Sequence, residues 1–325
     1  MPKARTGPAQ TIVFMAPNHA PLDGITVLER GWLSSNNILI HAAEGEPGAV
    51  LVDSSHVNHA AQTVALVRHA LQGRRLDRVV NTHLHSDHCG GNATLQREFG
   101  VPVIVPPGSA DAARAWDGAR LTYDATGQRC ERFEVSGTIA PGERFIAGAR
   151  QWEVLAAPGH DPDSVMLFDL DQGVLISADA LWERGFGVVF PEIAGEPGFD
   201  DVGAVLDVIE RLPVRLVIPG HGAPFADVAA ALATARSRLA GFKADPARHA
   251  RHAIKVLIKY HVMEVQRQPL DELLRWAGET PMLGQLWTRH GAVESDSPAA
   301  WAGRYVHELV AGGVLGLADG QVSDR

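Results

Sequence analysis

The apolar positions along the chain change period several times. Residues 49–53 form a short apolar run closed by Asp53, and 78–82 and 101–105 read the same way. Short apolar runs bounded by turn signals suit buried strands. Between them, 59–71 carries Val64, Leu66, Val67 and Leu71 at helical spacing, and 93–99 predicts a short helix. Strand and helix therefore alternate, as in an α/β architecture. Residues 24–43 read as extended. From 117 to 149 the pattern breaks into short runs with Gly and Pro. Three strands are expected at 151–157, 165–170 and 174–178, with turns such as Asp171-Gln172-Gly173. A helix at 199–211 presents Val202, Val205, Leu206 and Ile209 on one face, and 216–218 is a last strand.

After Pro224 the pattern turns helical, over 226–241, 248–265, 270–278, 283–290 and 299–311. The segment 312–320 predicts a small hairpin. Helices followed by a hairpin fit a winged-helix-like appendage. The expected division is therefore a first domain at 1–225 and a C-terminal helical domain at 226–325.

Composition narrows the class. The chain has 325 residues, of which 46% are hydrophobic and 21% charged, enough for a sizeable core. A net charge of -9 gives no general attraction to nucleic acid. The two cysteines, Cys89 and Cys130, form no CxxC pair and read as reduced thiols of a cytoplasmic protein. Lys3 and Arg5 are not followed by the apolar run that a secretory signal needs. No stretch reaches the roughly 18 to 20 apolar residues of a membrane span. A cytoplasmic protein with neither a membrane nor a nucleic acid as partner is expected, and a homodimer stays open.

The candidate chemistry follows the strand at 78–82. His83, His85, Asp87 and His88 fall within six residues, and Gly90, Gly91 and Asn92 come directly after. Neutral imidazole and carboxylate are standard zinc ligands. In a tight loop, His83 and His85 can serve one ion while Asp87 and His88 face another. Further on, His160 follows Pro158-Gly159, Asp179 closes the strand ending at Ala178, and His221 sits between Gly220 and Gly222.

This set resembles the metallo-β-lactamase superfamily, whose hallmark is HxHxDH followed by Gly-Gly. The resemblance covers about residues 24–225. It implies a four-layer αβ/βα sandwich with two divalent metal ions at one edge, zinc first, with iron or manganese as alternatives. By resemblance, His83, His85 and His160 hold one ion, Asp87, His88 and His221 hold the other, and Asp179 bridges them. Asp53 matches an acid kept behind the metal loop and is expected to orient a ligand. The implied activity is metal-dependent hydrolysis by a bridging hydroxide, with Asp87 as the catalytic group that orients the water or accepts its proton. A small ester, thioester or lactone is the expected substrate class.

The motif is especially similar to glyoxalase-II-type thioesterases, which hold the acidic part of the substrate with basic C-terminal helices. Here Arg236, Arg238, Lys243, Arg248, Arg251, Lys255 and Lys259 face only Asp245 in the same stretch. They read either as a clamp for an anionic substrate or as a solvated helix face. Trp182, Phe186, Phe190 and Phe199 either wall an apolar pocket or pack a loop, and Tyr123 is a candidate to polarise a carbonyl. Alternatives on the same fold are a β-lactam-hydrolysing enzyme, a nuclease, a mononuclear-iron sulfur dioxygenase and an idle binding protein. His85 stands where di-iron flavoproteins carry Glu, which disfavours that chemistry.

Overall fold

A computed structural model describes residues 20–325, so the expectation about Lys3 and Arg5 lies outside the described residues. The first sheet contains β1 (Ile25–Leu28), β2 (Asn37–Ile40), β3 (Ala49–Val52), β4 (Leu76–Val80), β5 (Val103–Val105) and β6 (Gly137–Thr138), in that order across the sheet. β1 to β3 are antiparallel, and β3 to β6 are parallel. The second sheet runs β11 (Leu216–Pro219), β10 (Val174–Ala178), β9 (Val165–Asp169), β8 (Arg150–Ala156), β7 (Arg144–Ala147).

The register explains why these strands read as continuous apolar runs. Ile38, Val52, Val80 and Ile104 line up across the first sheet on one face, and Leu39, Leu51, Val79 and Val103 on the other. Successive side chains point to opposite faces of a strand, so each strand feeds two cores. The first row meets Trp152, Val154, Leu167, Val174 and Ile176 of the second sheet. The second row meets the helices outside it, among them α1 (Ala60–Leu71), α3 (Asn92–Phe99) and α4 (Pro107–Ala115). The one-turn helix α2 (Ser86–Cys89) precedes α3, and α5 (Tyr123–Thr126) follows α4. Outside the second sheet, Met166, Phe168, Leu175 and Val217 meet the helices that follow α6 (Phe190–Ala194), namely α7 (Phe199–Arg211) and α8 (Val228–Ala244). Helix, sheet, sheet, helix is the four-layer sandwich.

The C-terminal unit packs around a separate cluster, which also takes in Val188 and Ile193. It comprises α9 (Pro246–Val265), β12 (Arg267–Pro269), α10 (Leu270–Glu279), α11 (Pro281–Leu286), α12 (Pro298–Ala311), β13 (Leu315–Ala318) and β14 (Gln321–Asp324). Asp245 caps the start of α9: its carboxylate accepts from Arg248 N at 3.2 Å, and Pro246 occupies the first helical position. Ile254, Ile258 and Val262 meet Leu273, Leu283, Trp301 and Val306. The expected hairpin lies later than its residue pattern suggests, at β13 and β14, and β12 joins it as a third antiparallel strand. The expected helix at 283–290 is α11 plus a wide turn at Trp287–Gly291. Helix α4 lies in a stretch for which the residue pattern gave no expectation. No helix among the described residues is long and apolar enough to cross a membrane.

Candidate metal centre

Five strands end at one edge of the sandwich and deliver the candidate residues there. Asp53 follows β3, His83 follows β4, His160 follows β8, Asp179 follows β10 and His221 follows β11. Strand ends give such groups rigid supports, and the crevice beyond carboxyl ends of strands is the common ligand position in open α/β sheets. Two backbone features allow the crowding. A Cβ on Gly91 would run into Ser54 O, and one on Gly220 would run into Asp179 Oδ1. Gly91 is thus needed for close approach, since its φ of -87° is ordinary. Asp53 and Ala178 hold left-handed backbone, at φ 58° and 47°, and strain of that kind concentrates at functional sites.

The seven candidates converge. His85 Nδ1 lies 3.1 Å from His83 Nε2 and 2.8 Å from His160 Nε2. His221 Nε2 is 3.1 Å from Asp87 Oδ2, and His88 Nε2 is 3.8 Å from the same oxygen. Asp179 lies between the groups: Oδ1 is 3.4 Å from His88 Nε2, and Oδ2 is 3.4 Å from His160 Nε2 and 3.8 Å from His221 Nε2. His83, His85 and His160 form one ligand-like trio, Asp87, His88 and His221 another, and His83, His88 and Asp179 a third that joins them.

Outer hydrogen bonds decide which nitrogens are bare. Asp53 accepts from Thr82 N at 2.9 Å, Thr82 Oγ1 at 2.8 Å and His88 Nδ1 at 2.8 Å. With its proton given to Asp53, Thr82 Oγ1 accepts from His83 Nδ1 at 3.1 Å. His160 Nδ1 donates to Val188 O at 2.6 Å. These bonds place the ring protons of His83, His88 and His160 on Nδ1, leaving Nε2 of each as a lone pair. Two of those lone pairs point at His85 Nδ1, and the His88 lone pair points at Asp179 Oδ1. His88 Nε2 is buried with no hydrogen-bond partner among the described residues, as are His85 Nε2 and His221 Nδ1. Buried acceptors facing acceptors are costly, and cations at the two convergence points would satisfy them. The His85 proton then sits on Nε2, which faces Asp161 Oδ2 at 3.6 Å. The donor set fits a pair of divalent ions.

The electrostatics agree. Burial and the neighbouring imidazoles hold His83 well below its usual range, and hold His85 at about 3. Burial also disfavours charge on His88, but Asp179, Asp53 and Asp87 together outweigh it and raise its pKa. Burial would raise the Asp87 and Asp179 carboxyls, yet the cluster histidines, His88 foremost, pull both below the usual carboxylate range. The site calls for positive charge beside those carboxylates.

Above the cluster lies a cavity of about 580 Å³, which Asp87, His160, Asp179 and His221 line. Trp32 stacks on His221 with ring centroids 5.3 Å apart, and Trp182 donates Nε1 to Asp179 Oδ1 at 3.2 Å. Trp182 and Phe190 line the cavity, while Phe186 and Phe199 are buried in the core beside α7 and α8. Tyr123 does not reach the cavity: its hydroxyl donates to Leu84 O at 2.7 Å behind the metal loop, beside buried Cys89. The basic run is mostly paired, Arg236 with Asp207 and Glu210, Lys243 with Asp200, Arg251 with Asp245, Lys255 with Glu308 and Lys259 with Asp324. Sequence reasoning missed Trp32, Asp161 and Tyr260. Only Asp161, next to His160, carried a positional signal.

Comparison with known proteins agrees with this geometry. A family model described as the metallo-beta-lactamase superfamily matches residues 30–221, more than half of the chain. A hydroxyacylglutathione hydrolase of Brucella anthropi is 26% identical over 191 residues, 58% of this chain and 58% of that protein. The chain spans about half the length of the curated relatives it matches. A metallo-beta-lactamase family protein from Thermus thermophilus superposes with a TM-score of 0.56 at 20% identity, covering 94% of this chain and 100% of that one. TTHA1623, solved in a di-iron-bound form, gives 0.52 at 25% identity, covering 64% and 98%. With HxHxDH placed at a strand end and its partners gathered around it, the chain belongs to the metallo-beta-lactamase superfamily.

Proposed function

We propose that this chain is a metal-dependent hydrolase of small acyl substrates, esters, thioesters or lactones. His83, His85 and His160 hold one divalent ion, Asp87, His88 and His221 hold a second, and Asp179 is shared. One observation carries the reading: the lone pairs of three histidines, fixed by outer hydrogen bonds, converge beside the Asp179 carboxylate on the floor of an open cavity. Two such ions supply Lewis acidity and an activated water when bound. The chain's own residues do the rest. Asp87, at the cavity floor and in contact with His221 Nε2, is placed to orient that water and accept its proton. Asp53 and Val188 O keep the histidines in the ligating tautomer.

Hydroxyacylglutathione hydrolase relatives support an acyl bond as the target. Zinc is the first choice of metal, and the di-iron neighbour keeps iron in view. The charge balance and the cavity favour a small molecule over nucleic acid, in the cytoplasm. We place the division between the two domains at Asp245 rather than after residue 225, because α8 shares its core with α7. The test is metal analysis of protein purified without added metal, run with an ester, thioester, lactone and β-lactam panel. About two metals per chain and acyl hydrolysis that chelation abolishes are expected. Full activity in the chelated protein overturns the reading.

A further inference from the structure

The walls of the cavity differ in kind from its floor. The floor is the ionisable cluster, whereas the far wall is apolar and comes from the C-terminal unit. Val256, Leu257, Tyr260 and Met263 of α9 line it, joined by Leu309 and Val314. Those α9 positions run over eight residues, a stripe roughly 10 Å long at the helical rise. The mouth is apolar too. Val256 and Val314 are each 37% exposed and Trp32 is 59% exposed, and all three line this one cavity. Apolar side chains gathered in water around a cavity mark a binding surface.

The cations that line the cavity do not offset this. Lys255 is paired with Glu308 at 2.7 Å, and Lys259 with Asp324. Arg238 turns its Nη1 onto Phe186 O at 3.3 Å. Burial holds His252 at about 4, so it is neutral. Exposed Arg184 alone lacks a partner among the described residues.

We propose that the cavity takes an acyl ester or thioester whose acyl group is an extended apolar chain, laid along the α9 stripe with its carbonyl at the cluster. A hydrophilic peptide thioester such as a hydroxyacylglutathione finds few partners there. This rests on the reading of the cluster as an acyl-hydrolysing centre, and the two can be tested apart.

The metal-loaded full chain is assayed with p-nitrophenyl acetate, butyrate, octanoate and dodecanoate and with a hydroxyacylglutathione. A fully buried methylene is worth up to about fourfold, so kcat/KM should rise at least about tenfold from acetate to octanoate, mostly through KM. Val256→Asp and Val314→Asp, at exposed positions that tolerate charge, should collapse the octanoate-to-acetate ratio toward one. Separately, octanoate should bind the metal-free chain saturably, read by indole fluorescence and weakened in Trp32→Phe, while acetate should not. A flat chain-length profile, or preference for the hydroxyacylglutathione, overturns the apolar-chain proposal and leaves the hydrolase reading intact. No hydrolysis of any substrate by the metal-loaded chain overturns the hydrolase reading, and octanoate binding then decides the cavity alone.

Discussion

The cluster and the α9 wall face each other across one cavity, yet they are built on opposite physical rules. In the cluster directional hydrogen bonds fix the rings while His85 Nε2, His88 Nε2 and His221 Nδ1 have no hydrogen-bond partner among the described residues, and one buried carboxylate, Asp53, reaches His88 directly and His83 through Thr82. Moving any one group there unpairs another. The α9 wall is held by nondirectional packing of Ile254, Ile258 and Val262 against α10 to α12. Its exposed cavity-facing side chains, Val256 and Val314, can therefore change while the core stays intact, whereas Leu257 and Leu309 belong to both. Few polar links join α9 to the first unit: Tyr260 with Ser86, Asn58 with Glu264 O, Arg129 with Glu264, and Val189 N with His249. On the function proposed above this amounts to a division of labour, in which the strand ends would carry the reaction and the appended helices the choice of substrate.

The strongest way to break this comparison is Asp179→Ala. That carboxylate is within 3.8 Å of ring nitrogens of His88, His160 and His221. Removing it should lower kcat by about a thousandfold or more, as metal catalysis is worth several kcal/mol, and should lower metal content per chain. Unchanged metal content with unchanged kcat would mean that the cluster is not the reacting centre.

Acid should also act on the seam beneath the wall. His249 of α9 accepts from Val189 N at 3.2 Å through Nε2, and burial, helped by nearby His252 and His290, holds it at about 4 against an ordinary 6.5. The unfolded chain gains this proton below about pH 6.5, whereas the folded chain resists until about pH 4. The stability owed to the neutral ring is thus complete above pH 6.5 and is lost as pH falls from 6.5 to 4, up to about 3 kcal/mol. Denaturant melts across that window should show the loss. His249→Gln, which keeps an acceptor, should reduce proton uptake on unfolding by about one.

Asp53→Asn sharpens the contrast from the cluster side. The side chain is not among the metal candidates, yet it orients His88 and His83. Competition with a chelator should show metal affinity weakened by about 10- to 100-fold, with the octanoate-to-acetate ratio unchanged. A shift in that ratio would show that the two regions are not separable.

The same division explains what the residue pattern revealed. The HxHxDH segment was legible because four ligand-type residues crowd into six positions after a strand, while His160 and His221, beside glycine turns, and Asp179, at a strand end, were picked out by the family resemblance. The buried strands were legible because strands buried on both faces cannot alternate in polarity, whereas their stacking as a sandwich came from the family resemblance. The wall was not: Val256, Leu257 and Met263 are ordinary apolar residues in a helical pattern, and only tertiary packing shows which of them face the cavity. The basic residues misdirect for the same reason, since Glu308 and Asp324, which neutralise Lys255 and Lys259, are far along the chain. Trp32 lies in a short loop whose pattern gives no hint of His221.

The smallest effect tests the link itself. Tyr260 belongs to α9 and lines the cavity, while its hydroxyl hydrogen-bonds Ser86 Oγ at 2.7 Å, between His85 and Asp87. Ser86 Oγ also reaches Gln128 Oε1 at 2.9 Å. Since Gln128 Oε1 can only accept, Ser86 donates there and Tyr260 donates to Ser86. Tyr260→Phe removes one buried donor and keeps the ring, so about 1 kcal/mol of stability should be lost. Ser86 keeps its bond to Gln128, so the metal loop should hold its shape. Metal content should stay the same and kcat for acetate should change less than about threefold. A loss of metal in this variant would show that α9 helps to hold the cluster in register, and the division of labour would then fail at its one direct polar contact with the metal loop.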